Sequence, residues 1–215
     1  MEYDRLGEIQ LQTLYSYYES GQKSQVQTIN GQGVKKNEKN YYENGQLHTD
    51  ILFHYNGQHQ SVTEYDEEGK TLHSTSYYDS GSTKSVETYI DGVCRTVEWY
   101  NEDGSRATYT EYWDNGQVKF RQSIGFYYNG ERIDGLCESS YTEEGIPVKD
   151  ALYWPDGTLH MENCYYPSGN IKSQYICDPS NSYNPEYFGE HRDGEAEAYK
   201  GWNIIDGEKV YFNLG

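Results

Sequence analysis

Aliphatic side chains are scarce in this 215-residue chain: Leu, Ile, Val and Phe together supply 35 residues. A two-layer domain packed on a Leu/Ile/Val core is therefore not expected. With a formal net charge of −18, the same scarcity ordinarily reads as disorder. Basic residues are short as well, 17 Lys and Arg against 35 Asp and Glu. The one basic knot, Lys35, Lys36 and Lys39, is interrupted by Glu38. With no basic stripe to displace counterions, nucleic acid and anionic membrane surfaces are excluded as partners, and a cationic partner is favoured. The same acidity also serves to keep a Tyr-rich sheet soluble, and composition does not choose between the two. The cysteines, Cys94, Cys137, Cys164 and Cys177, form no C-x-x-C pair, so no zinc cage or other metal site is expected. The start Met1-Glu2-Tyr3-Asp4 has neither a basic nor an apolar leader region, and no run of about 18 apolar residues occurs. The expectation is a cytoplasmic protein with reduced thiols.

What is abundant contradicts disorder: 25 tyrosines and 22 glycines. Glycines fall at 21, 33, 45, 57, 69, 81, 92, 104, 116, 130, 145, 157 and 169, in steps of 12 broken by one of 11, one of 14 and one of 15. Many follow Asn or Asp, as in Asn44-Gly45, Asn56-Gly57, Asp103-Gly104 and Asp156-Gly157. Such pairs tolerate positive φ and suit tight hairpin turns. A Tyr commonly stands four residues before the glycine, as Tyr17, Tyr41, Tyr65, Tyr77, Tyr100, Tyr112, Tyr141 and Tyr165. Between turns the pattern alternates with period two, as in Ile51, Phe53 and Tyr55, which signals half-buried strands. The spacing predicts an all-β fold: an elongated antiparallel meander of stacked β-hairpins, about 24 residues each, in a single-layer curved sheet. A tyrosine ladder then replaces the aliphatic core, with ring faces buried and hydroxyls wet. Three parts are expected: an N-terminal cap over 1–16, hairpin repeats over 17–177, and a tail over 178–215. The tail reads as an acidic loop starting at Asp178, with two prolines, followed by a capping hairpin.

The segments Tyr41-Tyr42-Glu43-Asn44-Gly45-Gln46-Leu47, Tyr112-Trp113-Asp114-Asn115-Gly116-Gln117-Val118 and Tyr166-Pro167-Ser168-Gly169-Asn170-Ile171-Lys172 resemble the MORN-repeat variant of bacterial YwqK-type antitoxins. The resemblance covers residues from about 15 to 177. It implies a non-enzymatic antitoxin- or immunity-like protein, or an inhibitor from a mobile element, that occludes a protein partner. The longer steps around Tyr127 to Gly145 depart from the pattern, and residues 178–215 do not carry it.

No catalytic constellation emerges from the residues. His48, His73 and His160 share a slot that Lys84, Lys119 and Lys172 fill in other copies, which reads as a solvated face. There is no nucleophile elbow and no phosphate-cradling loop, so neither an enzyme nor a cofactor is expected. Turn carboxylates recur on one edge of a meander at every second strand, about 10 Å apart. Glu43, Glu67, Glu68, Asp103, Asp114, Glu143 and Glu144 are candidates for an acidic contact surface, joined in the tail by Glu186, Glu190 and Asp193. Trp99, Trp113 and Trp154, with Tyr127 and Tyr128 in the irregular region, are candidate aromatic anchors, since interface hot spots favour such side chains. The expected partner is a basic protein, a toxin or defence effector. Two other readings stay open: an aromatic-repeat binder of carbohydrate or cell surface, and a small-ligand site around Tyr127 to Gly145.

Overall fold

The computed structural model describes residues 2–3, 9–128, 130–178, 181–194, 198–205 and 208–213, with side chains for 10–127, 130–177, 189–194, 201 and 211. The chain forms two compact units, Met1–Ala107 and Thr108–Gly215. The first holds β1 (Glu2–Tyr3), β2 (Ile9–Tyr17), β3 (Lys23–Asn30), β4 (Lys35–Tyr41), β5 (Leu47–Phe53), β6 (His59–Tyr65), β7 (Thr71–Tyr77), β8 (Thr83–Ile90) and β9 (Val93–Tyr100). The second takes in β10 (Arg106–Tyr112) from Thr108 onward, then β11 (Val118–Tyr128), β12 (Glu131–Tyr141), β13 (Pro147–Tyr153), β14 (Leu159–Tyr165), β15 (Ile171–Asp178), β16 (Asn181–His191), β17 (Ala198–Ile205) and β18 (Glu208–Asn213). The protein is all-β, and within each unit every strand pairs antiparallel with the next in sequence, a meander. Apolar and hydroxyl side chains align across strands on one face, as in the row Ile51, Val62, Thr75 and Val86. Such rows are half-buried. Among the described residues only Ala151 and Cys177 are buried apolar side chains, so no aliphatic core forms there.

The turns differ from the two-residue hairpins that Asn-Gly suggests. At Gly45, the glycine N–H donates to the carbonyl of Tyr42 at 2.9 Å, and the Tyr42 N–H donates to Gln46 O at 2.8 Å. Only the glycine takes positive φ, at +89°, and the ladder slips by one residue at Asn40/Tyr41. This is a type I turn closed by a bulge glycine, which uses Asn44 as a cap and not as a second left-handed residue. The same bonds recur around Gly21, Gly57, Gly69, Gly81, Gly104, Gly116, Gly145, Gly157 and Gly169. The 11-residue step is the exception. Asp91 has φ 52 and Gly92 φ 77, and Ile90 pairs directly with Val93, so here Asp-Gly is a two-residue turn.

Six of the described turns are stitched to the turn two strands later, which lies beside them on the same edge. The residue three before the glycine donates to the carbonyl of the residue four before the next same-edge glycine: Tyr18 to Tyr41, Tyr42 to Tyr65, His54 to Tyr77, Tyr78 to Tyr100, Trp113 to Tyr141. Tyr166 reaches His191 O in the same way. These tyrosine hydroxyls are therefore bonded to backbone and not left to water. Asn44, Asn56 and Asn115 add a second stitch. Each accepts the N–H of the residue after its glycine and donates Nδ2–H to a carbonyl of the next same-edge turn, Glu67, Asp79 and Glu143 respectively. Aspartate at that position, as at Asp103 and Asp156, keeps the cap but has no proton to donate. Asn44→Asp should accordingly leave the turn formed yet lower stability by about 0.5–1 kcal/mol, read as a shifted urea midpoint at unchanged slope.

The irregular steps lengthen one hairpin. β11 and β12 each run to 11 residues, slipping once between Ile124 and Phe126 where Gly125 takes φ 100. The extra length lies at the far end, so Trp113 still finds Tyr141, 28 residues on. The tail also departs from expectation. Strand β16 begins at Asn181 and keeps Pro185 opposite Cys177 at a register shift, where a loop was expected. A shift tolerates a residue without an N–H.

Candidate functional site

Turn parity decides which carboxylates meet. In the first unit Glu19, Glu43, Glu67, Glu68 and Asp91 belong to turns of one edge, and Asp79, Glu102 and Asp103 to turns of the other. Asp103 is thus separated from Glu43 and Glu67, with which the sequence pattern groups it as a contact residue. It is also engaged: it accepts the Ser105 N–H at 2.9 Å and hydroxyl at 2.6 Å, and these bonds hold its carboxyl below the usual range. Glu43, Glu67 and Glu68 are exposed. Lys70 lies 3.4 Å from Glu68 and 3.1 Å from Asp91, so one cation answers part of this edge. The field is felt locally: burial and then the charges of Glu67, Asp66 and Glu64 push the Tyr42 phenol up.

In the second unit Asp114, Glu143, Glu144 and Asp193 belong to turns of one edge, with the first three exposed beside Trp113. Asp193 is not a free contact residue. It accepts from Ser168 Oγ and, at 2.9 Å, from Asn170 Nδ2, and the two bonds hold its carboxyl below the usual range. Glu190 lies within β16, half-buried and paired across to Ser173 and Lys200, away from the turns. The side chains of Tyr128 and Glu186 lie outside the described residues.

The aromatic candidates divide in the same way. Trp113 donates to Tyr141 O at 3.1 Å and carries the Lys119 ammonium 5.0 Å from its ring centre. Trp154 lies 4.4 Å from the His160 ring and 5.9 Å from Phe126. Both tryptophans thus pack within the repeat. Trp99 stands on a face of β9 at 43% exposure, and Tyr127, near the tip of the long hairpin, is 77% exposed. These two remain presented to a partner.

The His/Lys slot has a structural role that the sequence pattern does not reveal. Its side chain lies over the ring that opens the same turn: His48 on Tyr42 at 4.3 Å, Lys84 on Tyr78 at 5.8 Å, Lys172 on Tyr166 at 6.0 Å. An imidazole and an alkylammonium both suit an aromatic face, which explains their interchange. The slot is not uniformly solvated either. His160 is buried, stacked against Phe126 at 5.8 Å and 13°. The rings of Phe126, Trp154 and His160 pack against one another, with centroids 4.4 to 5.9 Å apart.

Two clefts open between same-edge turns. One of about 390 Å³ is lined by Gln58, His59, Tyr77 and Ser80, and one of about 190 Å³ by Gln117, Val118, Arg121 and Tyr141. Gln58 and Gln117 follow turn glycines, and Tyr77 and Tyr141 stand four before the next same-edge ones, so both clefts are products of the repeat. Burial pushes the Cys94 and Cys137 thiols up, away from the thiolate form that nucleophilic chemistry uses. Among the described residues no three His, Cys, Asp or Glu side chains gather as a metal site, and no helix is long and apolar enough to cross a membrane.

Comparison with protein-family models and with curated proteins finds no match. Among solved structures the chain is similar to accessory secretory protein 1, 2 and 3 of Streptococcus pneumoniae, at 16% identity and TM-score 0.30, over 55% of this chain and 19% of that one. It is similar to a Tc holotoxin pore of Photorhabdus luminescens at 11% identity and TM-score 0.27, over 94% of this chain and 12% of that one. A porin-like protein of Bacteroides uniformis aligns at 9% identity and TM-score 0.25, over 93% and 86% of the two chains. The chain spans about a fifth or less of the first two.

Proposed function

We propose that this protein is a non-enzymatic binding module that occludes a basic surface of a protein partner, in the manner of a MORN-variant antitoxin, immunity protein or inhibitor. The observation that carries the reading is the edge of the first unit that holds Glu43, Glu67 and Glu68. These carboxylates are exposed, recur at the two-strand interval of about 10 Å, and are held on turns whose backbone is stitched to its neighbours. A rigid row of like charge accelerates encounter with an oppositely charged surface and rejects anionic ones. Trp99, exposed in the same unit, is the aromatic contact that supports it. Cytoplasmic action belongs to the same proposal, since none of the four cysteines is in a disulfide.

Affinity capture from lysate of the source organism tests the reading. The protein should retain a basic protein that is released as salt rises. Glu43→Lys/Glu67→Lys/Glu68→Lys should lose it, whereas Asp79→Lys/Glu102→Lys, on the opposite edge, should keep it. Undiminished capture by the triple variant, or no partner at all, would sink the proposal.

A further inference from the structure

The outer edge of β2 is left open. On one side β2 pairs with β3 from Leu11 to Tyr17, and on the other β1 meets only Ile9 and Leu11. Among the described residues no strand covers Gln12–Tyr17 on that side, so its outward backbone groups lack ladder partners. The carbonyl of Tyr17 is the counterpart of those that accept the Tyr18 and Tyr42 hydroxyls. Among the described residues it receives no such bond.

Soluble proteins blunt an open edge with lysine, proline or a bulge. This stretch reads Gln12-Thr13-Leu14-Tyr15-Ser16-Tyr17, with no charge and no proline, in a chain that is 24% charged. Its large side chains are turned out, Leu14 at 42%, Tyr15 at 55% and Tyr17 at 60% exposure.

We propose that this edge pairs with the same edge of a second copy of the chain, β2 to β2, antiparallel about a twofold axis. A twofold normal to the sheet keeps each side chain on its own face, so facing residues lie an even number of positions apart. With β1 already at Leu11 and β2 ending at Tyr17, the axis passes through Tyr15. Tyr15 then faces its own copy, and the pairs Leu14 with Ser16 and Thr13 with Tyr17 each occur twice. All are neutral, and each type of cross-strand pair contributes roughly 0.2–1 kcal/mol. Neutrality selects the occupant. Two chains that each carry a net charge of −18 repel wherever their acidic turns approach, so self-contact forms where no charge faces another. Five residues a side fall well short of the approximately 800 Å² per partner of a standard interface, so the pairing is weak and reversible. Salt screens the long-range repulsion and leaves the neutral contact intact, so the dimer tightens as ionic strength rises. A strand from a basic partner on this edge would show the opposite salt dependence.

Sedimentation velocity over a concentration series, at low and high salt, tests this on the whole protein. The expected result is a reversible monomer–dimer equilibrium whose dimer fraction grows with salt. Leu14→Glu/Tyr15→Glu sets carboxylates directly opposite one another in the pairing and should be monomeric under all these conditions. Both side chains are exposed, so its circular dichroism should match the parent. Thr13→Val/Ser16→Val, neutral and β-favouring, should retain the dimer. A parent protein that stays monomeric at high concentration and high salt overturns the proposal, as does a Leu14→Glu/Tyr15→Glu variant that dimerises like the parent.

Discussion

Gly135→Ala should destabilise the protein by about 3 kcal/mol or more, the largest effect expected of any single methyl group here. A Cβ at this position would overlap the Tyr153 carbonyl oxygen and lie 2.5 Å from Cε1 of Phe126. Neither neighbour can give way cheaply. The carbonyl belongs to β13, whose Tyr153 pairs with Leu136, and the Phe126 ring packs against both Trp154 and His160. Gly135 is buried, and its missing side chain is what lets Phe126 cross β12 to reach that cluster. Gly157→Ala is the natural comparison. Gly157 has φ +85, and a methyl group placed on it would meet nothing within 4 Å, so the loss there should be only the backbone contribution of about 1 kcal/mol. Urea unfolding followed by tryptophan fluorescence would report both, because Trp154 lies in the affected cluster. Equal losses for the two variants would show that Phe126 does not rest on Gly135.

Alkali should destabilise the protein between pH about 10 and 12. Burial, and a hydrogen bond to Asp150 Oδ2 at 2.6 Å, push the Tyr165 phenol up to about 12. Burial, with contributions from Cys177, takes Tyr175 to about 12. Tyr89 is raised chiefly by its bond to Glu87. A phenol whose folded value is raised favours the protonated native state. Its contribution is complete below the ordinary value near 10 and is lost as pH climbs through the folded value. Two pH units amount to about 3 kcal/mol at most for one phenol and to less where solvent screens the ring, so two or three such groups remove a large part of a marginal stability. Denaturant midpoints should hold up to pH 9 and then fall steeply, with tyrosinate absorbance rising at the same pH. Tyr165→Phe should flatten part of that fall. A midpoint independent of pH up to 12 would show that these phenols ionise freely in the folded protein.

Much of the fold is legible in the chain itself. Twelve-residue glycine spacing, period-two strands and an aromatic before most turns specify hairpins in meander order, because each signal acts within one strand and its turn. The turn chemistry is half legible. Asn before glycine marks a turn, yet Asp91-Gly92 is a two-residue turn and Asn44-Gly45 is not, a difference set by register with the paired strand.

The candidate surface is legible as a composition but not as an arrangement. Local pattern puts carboxylates at turns. Whether Asp193 projects freely depends on Ser168 and Asn170, 25 and 23 residues away, and no local pattern records that meeting. Likewise, His160 matches His48 in sequence but is buried, because the long hairpin brings Phe126 over it.

Backbone preference and side-chain alternation act over a few residues, and they suffice to make a chain poor in aliphatics and cations fold as a sheet. Tyrosines and turn glycines build strands that need no aliphatic core among the described residues. Folding alone settles which carboxylates share an edge, which are already bonded, and which rings stay exposed. Those outcomes depend on bonds between turns two strands apart, a separation of 22 to 28 residues, where only the folded register brings the partners together.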